Sequence, residues 1–489
     1  MRYEPVIGLE VHVELSTASK MFCACSADAF GAQPNAHVCP VCLGMPGALP
    51  VINDAAVRFT VMTGLALDSA VQPRSVFARK NYFYPDLPKG YQISQYELPL
   101  CVGGCLEIDV ADLSACIHSL RSQAGATRRI GITRVHLEED TGKLSHLGQH
   151  SAVDLNRAGI PLMEIVSEPD MRSAEEAYAY VTQLRQVVRY LGVSSGDMEK
   201  GAMRCEVNLS LRPATSEAFG TKVEIKNLNS FRSVRNAIAY EIQRQTRLLE
   251  AGQSVVQVTM GWDETGGVTR QQRTKEEAHD YRYFPEPDLP PLNLDAAWIA
   301  AVQRSLPELP GVKRERFVAR HGLSRYDAAV LAQDRAVAEY FEEVLRSKDD
   351  RVSAKLVANW VTGELFRAMN EDTTPIQEVK IRPQHLAELM GMVAGNAINQ
   401  TAAKQVFGLM WQTGHPPEQI VREMGLEQIS DRGQLADVVA RVVAENPDVV
   451  ASFKAGKETA VRFLMGQVMK ASRGKANPQL VEQLLRERL

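Results

Sequence analysis

The sequence lacks the glycine-rich loops that commonly bind nucleotide phosphates, and it lacks long apolar runs. Neither Gly-x-x-x-x-Gly-Lys-Ser/Thr nor Gly-x-Gly-x-x-Gly occurs in its 489 residues, so a nucleotide would have to bind on a sheet and not on a P-loop. No apolar run approaches the length of a membrane span, and the chain opens on a predicted strand rather than on a signal or transit peptide. We therefore expect a cytoplasmic protein.

A large excess of charge of one sign is also absent. The formal net charge is -4, and 45% of the residues are hydrophobic and 23% charged, which is typical of a globular protein. Because the chain as a whole does not attract nucleic acid, a site for a polyanion would have to be a local basic patch. A chain of this length exceeds what one hydrophobic core usually supports, so two or three domains are expected.

Cysteine is scarce, and four of the eight cysteines lie close together near the N-terminus. Cys23-Ala-Cys25 and Cys39-Pro-Val-Cys42 are joined by a short loop, a spacing that allows four thiolates to bind one tetrahedral zinc ion. Four protein ligands would make the metal structural, and the alternative is four unpaired cysteines. We interpret the other four as structural residues: Cys101, Cys105, Cys116 and Cys205.

A predicted strand at residues 6–15 carries polar side chains on only one face. Side chains alternate along a strand, so Glu10, His12 and Glu14 point to one side and the apolar residues between them point to the other. The same pattern recurs at residues 130–140, 204–211 and 221–227. Unpaired carboxylates are costly to cover with protein, so this face needs water, basic partners or a cation. The alternative interpretation is an ordinary half-exposed strand.

Four such strands predict an antiparallel sheet with one charged face. Helices at residues 174–191 and 230–251, the second capped by Ser230, would cover the apolar face. Carboxylates and imidazole suit Mg²⁺ or Mn²⁺, which bind nucleotide phosphates, while Lys and Arg neutralise a transferred phosphoryl group. We expect the metal ligands to be Glu10, His12, Glu138 or Glu139, and Glu206, and the phosphate-side residues to be Lys80, Lys89, Arg204, Lys222 and Lys226.

Two aromatic segments add candidates for ligand binding. The segment at residues 79–95 contains Lys80, Tyr82 and Lys89; it is too polar for a core, and its prolines and glycine exclude a long helix. The segment at residues 280–291 is rich in Tyr and Pro, so it is predicted to be extended and to offer ring faces to a nucleotide. The alternatives are a plain surface loop and a strap that packs its rings inward.

The remainder of the chain is predicted to be helical, with one long helix at residues 324–346 and a basic C-terminal end. Residues 451–489 contain eight Lys or Arg and three Glu, so they carry a local excess of five positive charges. Such an excess can bind a phosphate backbone, although a solvated helical face would look the same. The candidates for this contact are Lys454, Lys457, Lys470, Arg473 and Lys475.

Long motifs are spread over the whole chain, including V-I-G-L-E-V-H-V-E-L (6–15), C-P-V-C-L-G (39–44), H-L-E-E-D-T-G-K (136–143), D-Y-R-Y-F-P-E-P-D-L-P-P (280–291) and G-Q-V-M-K-A-S-R-G-K-A-N-P (466–478). Together they resemble the family of B subunits of glutamyl/aspartyl-tRNA amidotransferases. The resemblance implies an α+β fold: a catalytic cradle domain at residues 1–293, with an antiparallel sheet like that of glutamine synthetase and a zinc knuckle. It also implies an all-α domain at residues 294–396 and a small YqeY-like helical tail at residues 397–489 that contacts tRNA.

The resemblance also implies a reaction. ATP phosphorylates the side-chain carboxylate of Glu misacylated on tRNA(Gln), or of Asp on tRNA(Asn), and ammonia from glutamine displaces the phosphate, as in a carbon-nitrogen ligase. The cofactors implied are ATP, Mg²⁺ and a structural Zn²⁺. Because the chain lacks a Ser/Gly-rich nucleophile segment for splitting glutamine, ammonia would come from an amidase partner. The family implies a heterotrimer in which this amidase is the A subunit, with a small C subunit as the third member.

By the resemblance, the Mg²⁺ site of the family falls on Glu10, His12, the Glu138/Glu139 pair and Glu206. Strand alternation favours Glu138 as the ligand, whereas the family comparison favours Glu139, and both remain open here. Two other functions also remain: a ligase that uses free ammonia on a small carboxylate, and a zinc-stabilised tRNA-binding scaffold without chemistry. The scaffold would leave the acidic face of the sheet unexplained.

Overall fold

The structure, a computed structural model, describes residues 3–109, 127–274, 281–426, 432–454, 459–472, 476 and 478–489. The chain divides into two compact units, Met1–Pro310 and Gly311–Leu489. No helix in the described ranges combines the length and the apolar composition needed to cross a membrane. Four residues named above lie outside the described residues: Cys116, Lys457, Arg473 and Lys475.

The first unit contains all the strands of the described residues. In chain order they are β1 (Tyr3–Glu14), β2 (Ala70–Val71), β3 (Arg74–Ser75), β4 (Ala78–Asn81), β5 (Tyr91–Ser94), β6 (Cys101–Val102), β7 (Cys105–Asp109), β8 (Thr127–Glu139), β9 (Lys143–Leu147), β10 (His150–Asp154), β11 (Pro161–Ser167), β12 (Met203–Pro213), β13 (Val223–Leu228), β14 (Val258–Asp263), β15 (Val268–Thr274), β16 (Phe284–Pro285) and β17 (Leu292–Asn293).

Ten of these strands form one sheet within the described residues. Its order is β15-β14-β13-β12-β1-β11-β8-β6-β2, and β7 also pairs with β8. The antiparallel sheet predicted from alternation is confirmed for β1, β8, β12 and β13, with β11 lying between β1 and β8. The pairing of β13 with β14 is parallel, because α3 (Phe231–Glu250) crosses over between these two strands.

Helices pack on the apolar face of this sheet. They are α1 (Asp54–Ala66), α2 (Ala174–Leu191) and α3, and α4 (Ala296–Arg304) packs against α1. Helix α2 has the predicted bounds, and α3 begins after Ser230, whose hydroxyl accepts a hydrogen bond from the backbone N–H of Ser233 at 3.0 Å. The apolar residues of β1, including Leu9 and Val11, are buried against these helices. The polar residues of the same strand therefore face the other side of the sheet.

The second unit is helical. After α5 (Pro310–His321) come α6 (Arg325–Leu331), α7 (Arg335–Ser347), α8 (Ala354–Trp360), a π-helical turn at Val361–Leu365, α9 (Phe366–Asp372), a 3₁₀ turn at Ile376–Glu378, α10 (Pro383–Ala394), α11 (Gln400–Thr413), α12 (Pro417–Met424), α13 (Arg432–Glu445), α14 (Pro447–Lys454), α15 (Thr459–Ala471) and α16 (Pro478–Arg488).

The helix predicted at residues 324–346 is two helices, α6 and α7. The side chain of Asp334 accepts a hydrogen bond from the N–H of Ala336 at 2.9 Å and begins α7. Two hydrophobic clusters stabilise this unit, one from α5 to α12 and one from α13 to α16. The division into domains at residues 1–293, 294–396 and 397–489 stays a prediction.

Candidate functional site

The face of the sheet opposite the helices brings together side chains from β1, β11 and β12. In the antiparallel register Glu10 on β1 lies opposite Glu206 on β12. His12 lies between Arg204 on β12 and Glu164 on β11. Since residues two apart on a strand share a face, acidic and basic side chains of neighbouring strands form adjacent rows across the floor of the sheet.

A first group of possible metal ligands, which we call the His12 cluster, consists of His12, Glu138 and Glu164. One ligand atom of each lies within 4.8 Å of the others. The Nε2 atom of His12 is 3.7 Å from Oε1 of Glu138 and 3.7 Å from Oε2 of Glu164. His136 Nε2 is 3.1 Å from Oε2 of Glu164, and the Ser94 hydroxyl donates to Oε2 of Glu138 at 3.1 Å. These contacts fix the orientation of both carboxylates.

A second group, the Glu10 cluster, consists of Glu10, Glu206 and Glu224, again with ligand atoms within 4.8 Å of one another. The side-chain amide of Asn208 donates to Oε1 of Glu10 at 2.8 Å. The ammonium of Lys226 donates to Oε1 of Glu206 at 2.9 Å and lies 3.6 Å from Oε1 of Glu224. A single ammonium therefore balances only part of the charge of three carboxylates.

The electrostatics of the two clusters differ, because burial and repulsion dominate at Glu10 whereas the charges of two histidines dominate at Glu164. Burial raises the pKa of Glu10, and the charges of Glu164 and Glu206 raise it further. Burial also opposes ionisation of Glu164, but the charges of His136 and His12 outweigh it and lower the pKa of this carboxyl. Carboxylate oxygens with one imidazole are the donor set that a hard divalent cation takes, so the residues present fit Mg²⁺ or Mn²⁺.

Both clusters line one cavity of about 400 Å³. Lys80, Arg204 and Lys226 line it as well, and so does Tyr82. The Lys80 ammonium lies 4.9 Å from the ring centroid of Tyr281 and 6.0 Å from that of Tyr82, within the range of cation–π interactions. The cavity thus combines an acidic floor with cations on its wall, an arrangement suited to a phosphate held through a metal ion.

Three residues predicted for the site lie elsewhere. Glu139 accepts hydrogen bonds from Lys89 and from the N–H of Ile93, and with Lys89 it lines a separate cavity of about 220 Å³. Lys222 is exposed, precedes β13 and does not line the larger cavity. Of the Glu138/Glu139 pair, Glu138 belongs to the His12 cluster and Glu139 does not. The roles of all these residues stay predictions.

Two carboxylates of the clusters were not among the predicted ligands. Glu164 is flanked by apolar residues on both sides in Pro161–Ser167, so the strand shows no polar stripe. The one feature of the sequence that could have identified Glu164 is a single acidic residue within a mostly apolar strand, because burying a carboxylate without a partner is costly. Glu224 follows the polar alternation of β13 and is held by the Thr259 hydroxyl at 2.8 Å.

The four N-terminal cysteines also come together. Their Sγ atoms all lie within 4.8 Å of one another, in the group Cys23, Cys25, Cys39 and Cys42. The Cys23 thiol, the backbone N–H of Cys39 and the charge of Lys20 lower the pKa of Cys42 to about 4, which favours its thiolate. Four convergent sulfur atoms fit a tetrahedral zinc ion with no open coordination position. On the helical tail, Lys454 and Lys470 are exposed.

Comparisons with known proteins agree over the whole chain. The family model of the GatB/GatE catalytic domain matches residues 5–300, and that of the GatB domain matches residues 339–489. The B subunit of the aspartyl/glutamyl-tRNA(Asn/Gln) amidotransferase of Syntrophotalea carbinolica is 52% identical over 489 residues, covering 100% of this chain and 99% of the relative. The protein of the same name from Moorella thermoacetica is 53% identical over 493 residues, covering 100% of both chains.

Proposed function

Since the chain belongs to the family of aspartyl/glutamyl-tRNA(Asn/Gln) amidotransferase B subunits, we propose that it catalyses ATP-dependent amidation of Glu on tRNA(Gln), Asp on tRNA(Asn), or both. ATP phosphorylates the side-chain carboxylate, and ammonia then attacks the carbonyl carbon of the acyl phosphate. The C–O bond to the phosphate breaks, inorganic phosphate leaves, and the new C–N bond gives the amide. Because a free carboxylate is a poor acyl donor, phosphorylation provides the leaving group.

The observation that supports this proposal is the pair of carboxylate clusters on the floor of one cavity with cations on its wall. The His12 cluster and the Glu10 cluster would hold Mg²⁺, which neutralises nucleotide phosphates when it is bound. Lys80, Arg204 and Lys226 contribute fixed positive charge where negative charge moves between the nucleotide and the acyl group. A scaffold that only binds tRNA would have no use for an acidic floor, because carboxylates repel phosphate.

The chain would act within a larger assembly. It has no segment suited to splitting glutamine, so we expect an amidase, the A subunit, to supply ammonia and a small C subunit to complete a heterotrimer. We expect the four cysteines to hold a structural zinc ion, the basic tail to contact tRNA, and the enzyme to work in the cytoplasm, where aminoacyl-tRNA is used. Lys89 and Glu139 border the neighbouring cavity and would then act outside the metal clusters.

Amide formation by the assembled enzyme tests the proposal. The purified complex is incubated with ATP, Mg²⁺, glutamine and either Glu-tRNA(Gln) or Asp-tRNA(Asn), and the acyl group is identified after hydrolysis. We expect Gln or Asn to appear with matching release of ADP, and the Glu10→Ala variant to lose this turnover while it still binds tRNA. Unaltered turnover in that variant would favour the scaffold, and amidation of a free small carboxylate would favour the free-ammonia ligase.

A further inference from the structure

Arg134 is a basic residue of the cavity wall that has no acidic partner in the described part of the chain. It lies on β8, two residues from His136 on the same face, and lines the cavity of about 400 Å³. Its side chain is half-buried, and its Nε atom is buried without a hydrogen-bond partner. Among the described residues, none forms an ion pair or a side-chain hydrogen bond with Arg134.

The other long basic side chains of this cavity all have partners. Arg204 is ion-paired with the buried carboxylate of Asp140, and Lys226 is bound to Glu206 at 2.8 Å. The Lys80 ammonium lies over a tyrosine ring, and the charge of Glu138 keeps its pKa above the ordinary value although burial acts in the opposite direction. Arg134 thus differs from them, although it lines the same cavity as the carboxylates of both clusters.

A partly buried guanidinium without a partner costs free energy, because it has given up water without gaining a charged acceptor. Its planar fork of N–H donors matches the two oxygens of a carboxylate or of a phosphate. A ligand that supplies such a group recovers this cost when it binds. The acidic floor strengthens the argument, since an anionic substrate that approaches it needs a cation that is not already neutralised.

The position of Arg134 separates it from the other cations. In the sheet it lies opposite Val166 on β11 and opposite Val102 on β6. Arg204 is on β12, three strands from β8 across β11 and β1, and strands are spaced about 4.8 Å apart. A substrate group held by Arg134 therefore lies at the β8 end of the cavity, away from the phosphates that Lys226 and Arg204 would neutralise.

We propose that Arg134 binds an oxyanion group of a substrate at this end of the cavity, either the side-chain carboxylate of the acyl group or a phosphate of the nucleotide. This rests on the proposed function, because that function defines the two substrates. Both sources present two coplanar or near-coplanar oxygens to the fork. Binding of the acyl carboxylate at Arg134 would orient it toward the nucleotide and distinguish the acid substrate from its amide product.

The test compares three variants of the assembled complex: Arg134→Gln, Arg134→Lys and the control Arg129→Gln. Arg129 is exposed, lies on the same strand and does not line the cavity. Ammonium chloride replaces glutamine, so the amidase partner does not limit the rate. The KM for ATP and the KM for Glu-tRNA(Gln) are measured separately, and Gln-tRNA(Gln) serves as a competitor with a neutral side chain. Circular dichroism checks that each variant folds.

We expect Arg134→Gln to raise one of the two KM values by about 10- to 100-fold, with a smaller effect for Arg134→Lys and none for Arg129→Gln. A higher KM for Glu-tRNA(Gln), with Gln-tRNA(Gln) now competing as well as the substrate, identifies the acyl carboxylate. A higher KM for ATP alone identifies the nucleotide phosphate.

Equal KM values for Arg134→Gln and Arg129→Gln would overturn the proposal. If the wild-type complex forms no amide, the proposed function fails, and equilibrium dialysis with ATP and with Glu-tRNA(Gln) still compares the variants. Unchanged affinity for both ligands in Arg134→Gln would then overturn the oxyanion site independently. If Arg134→Gln does not fold, the same measurements on Arg134→Lys decide, since it keeps the charge but loses the bidentate fork.

Discussion

Glu164 is the carboxylate on which two imidazoles converge. His12 and His136 both approach its Oε2 atom, at 3.7 Å and 3.1 Å. A neutral amide in its place would remove a proposed metal ligand and the nearer carboxylate of His136, and would leave Glu138 as the remaining carboxylate beside both histidines. We expect Glu164→Gln to lower the rate of amide formation by roughly two orders of magnitude or more, because metal-ion catalysis supplies several kcal/mol of transition-state stabilisation.

The control for this prediction is Glu168→Gln. Glu168 is exposed just after the same strand, where its carboxylate accepts a hydrogen bond from the Thr133 hydroxyl at 2.8 Å, outside the cavity. The measurement is the initial rate of amide formation at saturating ATP and tRNA, with thermal melting as a check on folding. Equal rates for the two variants would remove Glu164 from the metal site.

Glu14 provides a prediction about pH. Burial and the neighbouring Asp140 raise its pKa to about 8, although Arg204 and Arg157 lower it. The folded protein therefore binds this proton more tightly than the unfolded chain, whose carboxyl has a pKa near 4.5. The resulting stabilisation is complete below that value and is lost as the pH rises through about 8, by up to about 1.4 kcal/mol per pH unit.

Glu14→Gln removes this titration, so we expect the variant to gain stability relative to the wild type between pH 6 and pH 9. Urea unfolding at both pH values measures the free energy of unfolding of each protein. The change in this free energy from pH 6 to pH 9 is then compared between the variant and the wild type, which isolates the contribution of Glu14. A variant that differs from the wild type by the same amount at both pH values would show that Glu14 does not titrate in this range.

The sequence predicts those residues of the site whose polar side chains recur at every second position of a strand. Glu10 and His12 lie on β1 and Glu206 lies on β12. Polar and apolar residues alternate in both strands, so the common face of these three residues follows from the two-residue period. Glu164 is different, because the other residues on its face of the strand, Leu162 and Val166, are apolar and form no polar stripe. Arg134 shares the face of His136, but the sequence does not reveal that no described residue pairs with it, since that depends on which strands lie beside β8.

At the scale of elements, the cysteine loop is held by polar contacts as well as by its sulfur atoms. The ammonium of Lys20 donates to the carbonyl of His37 at 2.7 Å, and the side chain of Asn156 accepts from the N–H of His37 at 2.8 Å. Such a loop has few apolar residues to bury, so convergent thiolates are the main source of its rigidity if a metal binds.

We expect Cys39→Ser to lose bound zinc and to lower the melting temperature, and Cys105→Ser to do neither. Cys105 lies on β7, outside the four-cysteine group. Metal analysis of the purified chain should find about one zinc ion per wild-type molecule, as expected for four thiolate ligands. A chelator should lower the melting temperature of the wild type toward that of Cys39→Ser. Equal zinc content in the two variants would contradict a structural metal at this loop.

The observed bounds of a helix match the predicted ones where a capping residue and the amphipathic period indicate the same position. Helix α2 begins after Ser173, whose hydroxyl accepts from the N–H of Glu176 at 3.1 Å, and it ends at Gly192 in the left-handed region. The prediction of one helix at residues 324–346 was wrong, because the amphipathic period of the sequence continues across Asp334. Helix α6 ends at Leu331, and the capping side chain of Asp334 begins α7, a break that periodicity alone does not reveal.

At the scale of the whole molecule, the order of strands decides which residues meet. Alternation indicates that Glu138 and Glu10 each lie on a polar face, but not that β11 lies between their strands and adds Glu164 to the site. The crossover through α3 makes β13 and β14 parallel and brings Thr259 to Glu224. These are long-range pairings set by packing, and no local pattern specifies them.

The C-terminal helices α13 to α16 have their own hydrophobic cluster, which includes Leu435, Val439 and Leu464. Their surface can therefore change charge without disturbing the cluster formed by α5 to α12. Lys454 at the end of α14 and Lys470 at the end of α15 are both exposed. Side chains in this position are available for the phosphates of an RNA backbone, and their contribution would depend on salt.

We expect the double variant Lys454→Glu/Lys470→Glu to bind tRNA more weakly and with a shallower dependence on salt. Each lost phosphate contact should reduce the slope of log affinity against log salt by roughly 0.7 to 0.9. The control is Arg320→Glu/Arg346→Glu, which makes the same change of charge at exposed positions of α5 and α7. Filter binding of uncharged tRNA across a salt series measures both slopes. If the two double variants lose affinity equally, only the net charge of the chain matters, and the tail makes no local contact with tRNA.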